Sequence, residues 1–381
     1  MAPVLRPRGE VLLCPGPVML SAGVQSVLTR WDIGHRDSRF SELVARLRCN
    51  AAMLLGAGDD HSILFVTGPA TSGIEAVCTT LFPRDGTVVV PVNGVFGRRI
   101  VQILEVHGIP CLPVNFGFGR PFELRKIEAA LAASAGNASV AVAMTHHETS
   151  CGLVNPVSAV CALARRYGAR TFIDATSSAG AEDLHLTRDG VDACVTSSGK
   201  SLHGPPGVAL VCVRRDWLDA RSNALVPSFS LDLRRYHEQI ETNAQTPFTP
   251  AVPLFVALDR AIEELLEQGG VAERRRQYLR RRTYLAEGLV GLGLSLLPLP
   301  LGSEASSILT VTTPASIGFD ELYTRLREWG FVIYAAKPPL APRYFQLAVM
   351  GDLTDADLAG FLLALEAVCF GPAAQCLAAS A

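Results

Sequence analysis

The sequence predicts an α/β protein, with a doubly wound parallel sheet in its larger part and a smaller α+β unit at the C-terminal end. Three observations predict it. Short apolar runs recur between residues 63 and 213, amphipathic stretches of helical period separate them, and a proline-rich connector at 247–253 ends the alternation. Strands are expected at 63–66, 87–91, 140–144, 171–173, 193–196 and 208–213. Each run is apolar on both faces, as strands of a covered parallel sheet are. Helices are expected between them, at 73–81, 96–106, 124–133 and 158–167. A βαβ alternation of this kind places ligands at the C-terminal ends of the strands. Beyond the connector a long helix is expected from Leu254 to about Leu289, then strands at 308–312, 332–334 and 344–348 with helices near 319–329 and 355–368. The expected division is an N-terminal arm over 1–20, a large domain over 21–253, and the long helix with the small domain over 254–381. The tail after Gly371 is small and apolar, and is expected to fray.

Composition narrows the function classes. Of the 381 residues 49% are hydrophobic and 18% charged, which is the make-up of a folded chain. The formal net charge is -2 and no basic stripe stands out, so a nucleic-acid surface is not expected. The densest basic run, Arg274-Arg275-Arg276 with Arg280-Arg281-Arg282, reads as the solvated face of a helix. No signal peptide opens the chain and no apolar run reaches membrane-spanning length, so a cytoplasmic protein is expected. The ten cysteines form no CxxC pair and share no metal-ligand spacing with the eight histidines; no metal is expected.

Five polar or glycine-rich segments fall at the ends of successive expected strands. Ser197-Ser198-Gly199-Lys200 follows the strand at 193–196. A lysine there, among small residues and before Gly204-Pro205-Pro206-Gly207, is crowded enough to lose its proton and become a nucleophile or Schiff-base former. Alone it would read as an ordinary loop lysine. Asp174 ends the strand at 171–173, one βαβ step away, where its carboxylate can face a ring nitrogen; a turn or cap aspartate is the plainer reading. Gly68-Pro69-Ala70-Thr71-Ser72-Gly73 opens a helix and can cradle an anion with free N–H groups. It is neither a Walker loop nor GxGxxG. Asn93-Gly94-Val95-Phe96-Gly97 offers a ring that can stack on a flat cofactor, or a core phenylalanine. His146-His147-Glu148-Thr149-Ser150-Cys151-Gly152 reads as a polar loop with Thr149 free to bond a ligand, since adjacent histidines on an extended chain point apart.

In this order the segments GPATSGIEA, NGVFG, HHETSCGLVNP, IDATSSAG and SSGKSLHGPPG resemble the class V aminotransferases of pyridoxal 5'-phosphate (PLP) fold type I. Within that family the chain is most similar to the branch that transaminates an aminophosphonate, and next to the alanine–glyoxylate branch. The resemblance runs from Leu13-Cys14-Pro15-Gly16-Pro17 to FVIYAAK at 331–337. It implies a large domain on a mostly parallel sheet of the seven-stranded type and a smaller C-terminal α+β domain. It implies a PLP-dependent transferase, acting on a small amino acid or aminophosphonate through an aldimine at Lys200. Asp174 matches the partner of the pyridine nitrogen. Ala70, Thr71 and Ser72 match the phosphate cradle, Phe96 the stacking ring, Thr149 the hydroxyl near the phenolic oxygen, and Ser197 a further cofactor contact. Thr249 matches a threonine that reaches a neighbouring subunit's phosphate, which implies a homodimer with shared sites.

One departure stands out. The family's arginine that binds the substrate carboxylate is replaced by Gln346. A glutamine makes no charge-assisted bidentate pair. Arg343, three residues earlier, is a candidate replacement, and His35-Arg36 either enters the site or caps a helix. The departure leaves a second reading open, a PLP enzyme with a changed reaction: elimination, replacement or C–C bond formation. A non-catalytic protein on this fold would have little need of both Lys200 and Asp174.

Overall fold

In the computed structural model, which describes residues 9–29 and 32–371, the apolar runs assemble into one sheet of seven strands. These are His61–Thr67 (β1), Thr87–Val92 (β2), Cys111–Asn115 (β3), Val140–Thr145 (β4), Arg170–Asp174 (β5), Ala193–Ser197 (β6) and Val208–Arg214 (β7). Their order is β1-β7-β6-β5-β4-β2-β3. β7 runs antiparallel to β1 and β6, and the remaining pairs are parallel. The family-type sheet implied by the sequence is therefore the one observed. β3 was not expected. Its Pro113 and half-exposed residues suit an edge strand and leave no apolar run to read.

Register decides what the sheet presents. Thr145 pairs with Asp174, and Asp174 with Val195. β4 and β5 thus end level, β6 runs two residues further to Ser197, and the loops that follow them leave the same edge. The intervening helices cover the faces: Ser38–Leu55 (α1), Ala70–Leu81 (α2), Val95–Val106 (α3), Leu124–Ala133 (α4) and Val157–Arg166 (α5). Asp37 caps α1 by accepting from the Arg39 N–H, and Gly56 ends it in the left-handed region at φ 60°.

The long helix expected after the connector is two, Val252–Glu267 (α6) and Gly270–Gly291 (α7). Gly269 and Gly270 break it, both at positive φ, 100° and 72°. α6 buries Phe255, Leu258, Ile262 and Leu265 in the core of the large sheet. The basic run on α7 also departs from expectation, because Arg274 and Arg281 are buried. Seven residues apart, they share one helix face. Arg274 donates to the Ser201 carbonyl at 3.0 Å, and Arg281 to the carbonyls of Val349 at 3.2 Å and Gly351 at 3.1 Å. The Gly351 carbonyl also accepts from the Leu353 N–H at 2.9 Å, and the guanidinium fork supplies several donors at once.

The C-terminal unit holds Ile308–Thr312 (β8), Tyr334–Ala335 (β9) and Tyr344–Ala348 (β10) in the order β8-β10-β9, packed by Phe319–Glu328 (α8) and Asp355–Phe370 (α9). The run expected as one strand at 332–334 divides. Phe331–Val332 pairs instead with Val11–Leu12, which ties the N-terminal segment to this unit. Thr354 and Asp357 form a capping box at the start of α9. No helix among the described residues is long and apolar enough to cross a membrane. The tail after Gly371 lies outside the described residues.

Candidate active site

The strand ends surround a cavity of about 480 Å³. Its lining runs from Gly16 to Gly207 and brings together Ala70, Thr71, Phe96, Thr149, Asp174, Ser197 and Lys200. The cradle is built by close packing. Gly68 sits at φ 146°, and a Cβ on it would meet the Ser72 hydroxyl at 2.7 Å. A Cβ on Gly73 would lie 3.0 Å from Ala209 and Val195, so α2 is seated directly on β6 and β7. Pro69 caps α2 without a side-chain hydrogen bond; the Ser72 N–H donates to the Pro69 carbonyl at 2.9 Å, and the N–H groups of Ala70 and Thr71 have no partner among the described residues and are open to an anion. Ser72 does not line the cavity; its hydroxyl lies against Gly68.

Lys200 follows β6 and is largely buried, and its Nζ donates to the Pro15 carbonyl. The N-terminal segment thus closes over it. Gly16, at φ 125°, has no room for a side chain, because a Cβ there would stand 2.6 Å from Nζ. Burial pulls the lysine below its ordinary value, and the Arg99 charge adds to this, while Cys14 and Asp174 oppose it. The amine is therefore easier to deprotonate than an exposed lysine. Asp174 is 4% exposed. Its carboxylate accepts from the Thr176 N–H at 3.0 Å and from the Thr176 hydroxyl. Burial pushes its pKa up, against the Thr176 hydrogen bonds and the charges of Arg99 and Lys200. A cation set against it would pull it back down.

Glu148 fixes the aromatic wall. Fully buried, it accepts from the Phe96 N–H at 3.1 Å and the Gly97 N–H at 3.1 Å, and from the Ser150 hydroxyl. It therefore pins the start of α3 to the loop that carries Thr149. Arg99, one turn beyond Phe96, lies 4.8 Å over that ring and reaches Thr71 Oγ1 at 3.4 Å. The sequence reading missed Arg99, although its i, i+3 spacing from Phe96 puts both on one face. It also missed the cavity roles of Gly16, Pro17, Thr145 and His147.

Three expected substrate residues and one cofactor residue stand apart. Gln346 on β10 is buried and gives its amide to the Thr149 carbonyl at 2.6 Å and to Thr310 Oγ1 at 3.3 Å. Arg343 is exposed, with its guanidinium 5.7 Å from the Tyr344 ring. His35 is half-buried in the turn before α1, where Asp37 is the cap. Its neighbour Arg36 holds the connector by the carbonyls of Thr246 at 2.9 Å and Pro247 at 3.1 Å. Thr249 is exposed on that connector. None of the four lines the cavity of its own chain.

Across residues 22–333 the sequence matches the class-V aminotransferase family. This chain belongs to the class-V aminotransferase family. The class-V enzymes are PLP-dependent transferases, and the site fits that cofactor: an uncapped helix start for a phosphate, a buried carboxylate for a ring nitrogen, and a desolvated lysine. A 2-aminoethylphosphonate–pyruvate transaminase of Burkholderia ambifaria (strain MC40-6) is 35% identical over 330 residues, covering 86% of this chain and 87% of the relative. One of Burkholderia mallei (strain SAVP1) is 33% identical over 360 residues, covering 94% and 96%. An alanine–glyoxylate aminotransferase structure from Nostoc sp. superposes with a TM-score of 0.88 at 24% identity, over 96% of both chains. A pyridoxamine–pyruvate aminotransferase from Mesorhizobium loti gives 0.85 at 22%, over 98% of this chain and 93% of that one. These two likenesses speak for the class-V fold alone.

Proposed function

We propose that this class-V enzyme moves an amino group from a small aminophosphonate or amino acid to a 2-oxo acid, with its cofactor attached at Lys200. The observation that carries the reading is the shared cavity of Lys200, Asp174 and the open start of α2. Relatives named for 2-aminoethylphosphonate and pyruvate suggest the substrate class. Bound PLP would supply an aldehyde that captures amines and a protonated ring that draws electrons from them. Asp174 would hold the proton on the ring nitrogen. The neutral Nζ of Lys200 would take a proton from the substrate carbon and return it. The α2 N–H groups and Thr71 would hold the phosphate, and Phe96 would bound one face of the ring. Thr249 and the exposed Phe229 beside the connector support a homodimer that completes the phosphate site. Light scattering on the purified chain checks that part, and a monomer at all concentrations would refute it.

The test of the reaction is to add 2-aminoethylphosphonate, L-alanine and other amines singly to loaded enzyme without an acceptor. Loss of the visible cofactor band with one donor, and its return with pyruvate, is the expected outcome. A changed reaction is favoured by one observation, that both donor hydrogens of Gln346 face protein oxygens. It predicts product release from the amine without any need for pyruvate.

A further inference from the structure

The cavity is lined by two residues whose buried polar atoms are unpaired among the described residues. Thr145 Oγ1 and His147 Nε2 have no hydrogen-bond partner among the described residues. Both residues line the cavity, and each is 3% exposed. With Thr149 they line the same cavity: Thr145 ends its strand, a bend at His146 follows, and His147 opens the short pair His147–Glu148, whose Glu148 turns to α3. Buried polar atoms are normally partnered, by protein, water or ligand.

The chemistry of the missing partner follows from the other imidazole nitrogen. His147 Nδ1 lies 3.3 Å from the Ser177 carbonyl oxygen. A carbonyl only accepts, so Nδ1 carries the proton. Burial opposes a second proton and Lys200 opposes it too, whereas Glu182 and the Ser177 carbonyl favour it. His146, the adjacent ring, is itself pushed down to about 4 by burial and adds no positive charge near neutral pH. Nε2 therefore offers a lone pair. An anionic oxygen would be repelled there, and an N–H or O–H donor would be held.

We propose that His147 is a ligand-contacting residue of this site, whose Nε2 accepts a hydrogen bond from an O–H or N–H donor on the molecule in the cavity. Thr145 flanks that contact. The donor belongs either to the ring hydroxyl of the cofactor or to an amine or hydroxyl of the substrate. The proposal rests on the reading that the cavity takes up PLP, and adds a contact selective for a donor group on the wall that Thr145, His147 and Thr149 form.

The test compares wild type, His147→Phe and His147→Gln, the last keeping an acceptor. PLP affinity is measured by equilibrium dialysis on the apoprotein, and KM for the amino donor on fully loaded enzyme, with folding checked by circular dichroism. The Phe variant is expected to lose roughly tenfold in one of the two constants, with most of it regained by Gln. A loss in cofactor affinity assigns the donor to the cofactor, and a loss in KM assigns it to the substrate. A folded Phe variant unchanged in both overturns the proposal while the cofactor reading stands. Wild type that takes up no PLP overturns the cofactor reading itself. Should the Phe variant not fold, nitrogen NMR of the wild-type histidines decides. The unprotonated Nε2 signal of His147 is expected to move on adding PLP or amine, and a signal indifferent to both refutes the contact.

Discussion

Loops at the edge of the seven-stranded sheet carry the cradle, Phe96, Thr149, Asp174 and Lys200 into one cavity, whereas the three-stranded sheet of the C-terminal unit contributes no residue to it. Gln346 on that sheet holds the carbonyl of the cavity residue Thr149. On one side each polar group is prepared for a ligand: an open helix start, a lysine pulled down, a carboxylate pushed up. On the other the polar group is spent on the protein itself. The difference teaches that neighbouring polar groups can part in role, those at the edge of the seven-stranded sheet open to the cavity and Gln346 on the second sheet bonded to the protein.

The largest effect expected on that contrast is from Lys200→Ala. It removes the group proposed to move the proton, and turnover should fall on the order of 10³-fold or more, with loss of the lysine-linked visible band. Retained turnover would mean that the sheet edge is not the reacting side. Asp174→Asn keeps the shape but not the charge. Turnover is expected to drop on the order of a hundredfold, about 3 kcal/mol, in steady-state assays while PLP still binds. Gln346→Leu tests the other side. It leaves the Thr149 carbonyl without its donor, so stability should fall by about 1–3 kcal/mol in urea unfolding with cofactor affinity nearly unchanged. A large loss in substrate affinity with intact stability would show instead that Gln346 faces ligand. The smallest effect is kinetic. Only the neutral amine of Lys200 can take up the cofactor, and burial lowers its pKa from the ordinary 10.5. The uptake rate should therefore rise with pH and level off below that value in stopped-flow mixing. A rate still climbing beyond it would contradict the desolvated site.

Much of the sheet edge was legible in the sequence because each part is local. A strand end followed by small residues and a lysine is a few residues long, and the strands at 63–66, 193–196 and 208–213 were continuous apolar runs. The edge strand β3 was not, since Pro113 and exposure erase the pattern. Arg274 and Arg281 misled for a physical reason: a buried guanidinium is identified by the carbonyls it meets, and those lie 68 to 73 residues away in the chain. Gln346 was legible as a missing charge, yet not as a strut to Thr149, 197 residues distant. His147 read only as one residue of a polar loop. Only the Ser177 carbonyl and the absence of a partner at Nε2 among the described residues give it a direction.

The attachment of the cofactor can be read directly, because the sequence contains three lysines, Lys126, Lys200 and Lys337. Lys126 is exposed in an ion pair with Glu123, and Lys337 is exposed, so Lys200 is the buried one. Loaded enzyme would be reduced with borohydride, digested and sequenced by mass spectrometry. A phosphopyridoxyl group on the peptide holding Lys200, and on neither other lysine, is the expected result. A label on Lys126 or Lys337, or none at all on protein that carries PLP, would contradict the assignment of Lys200.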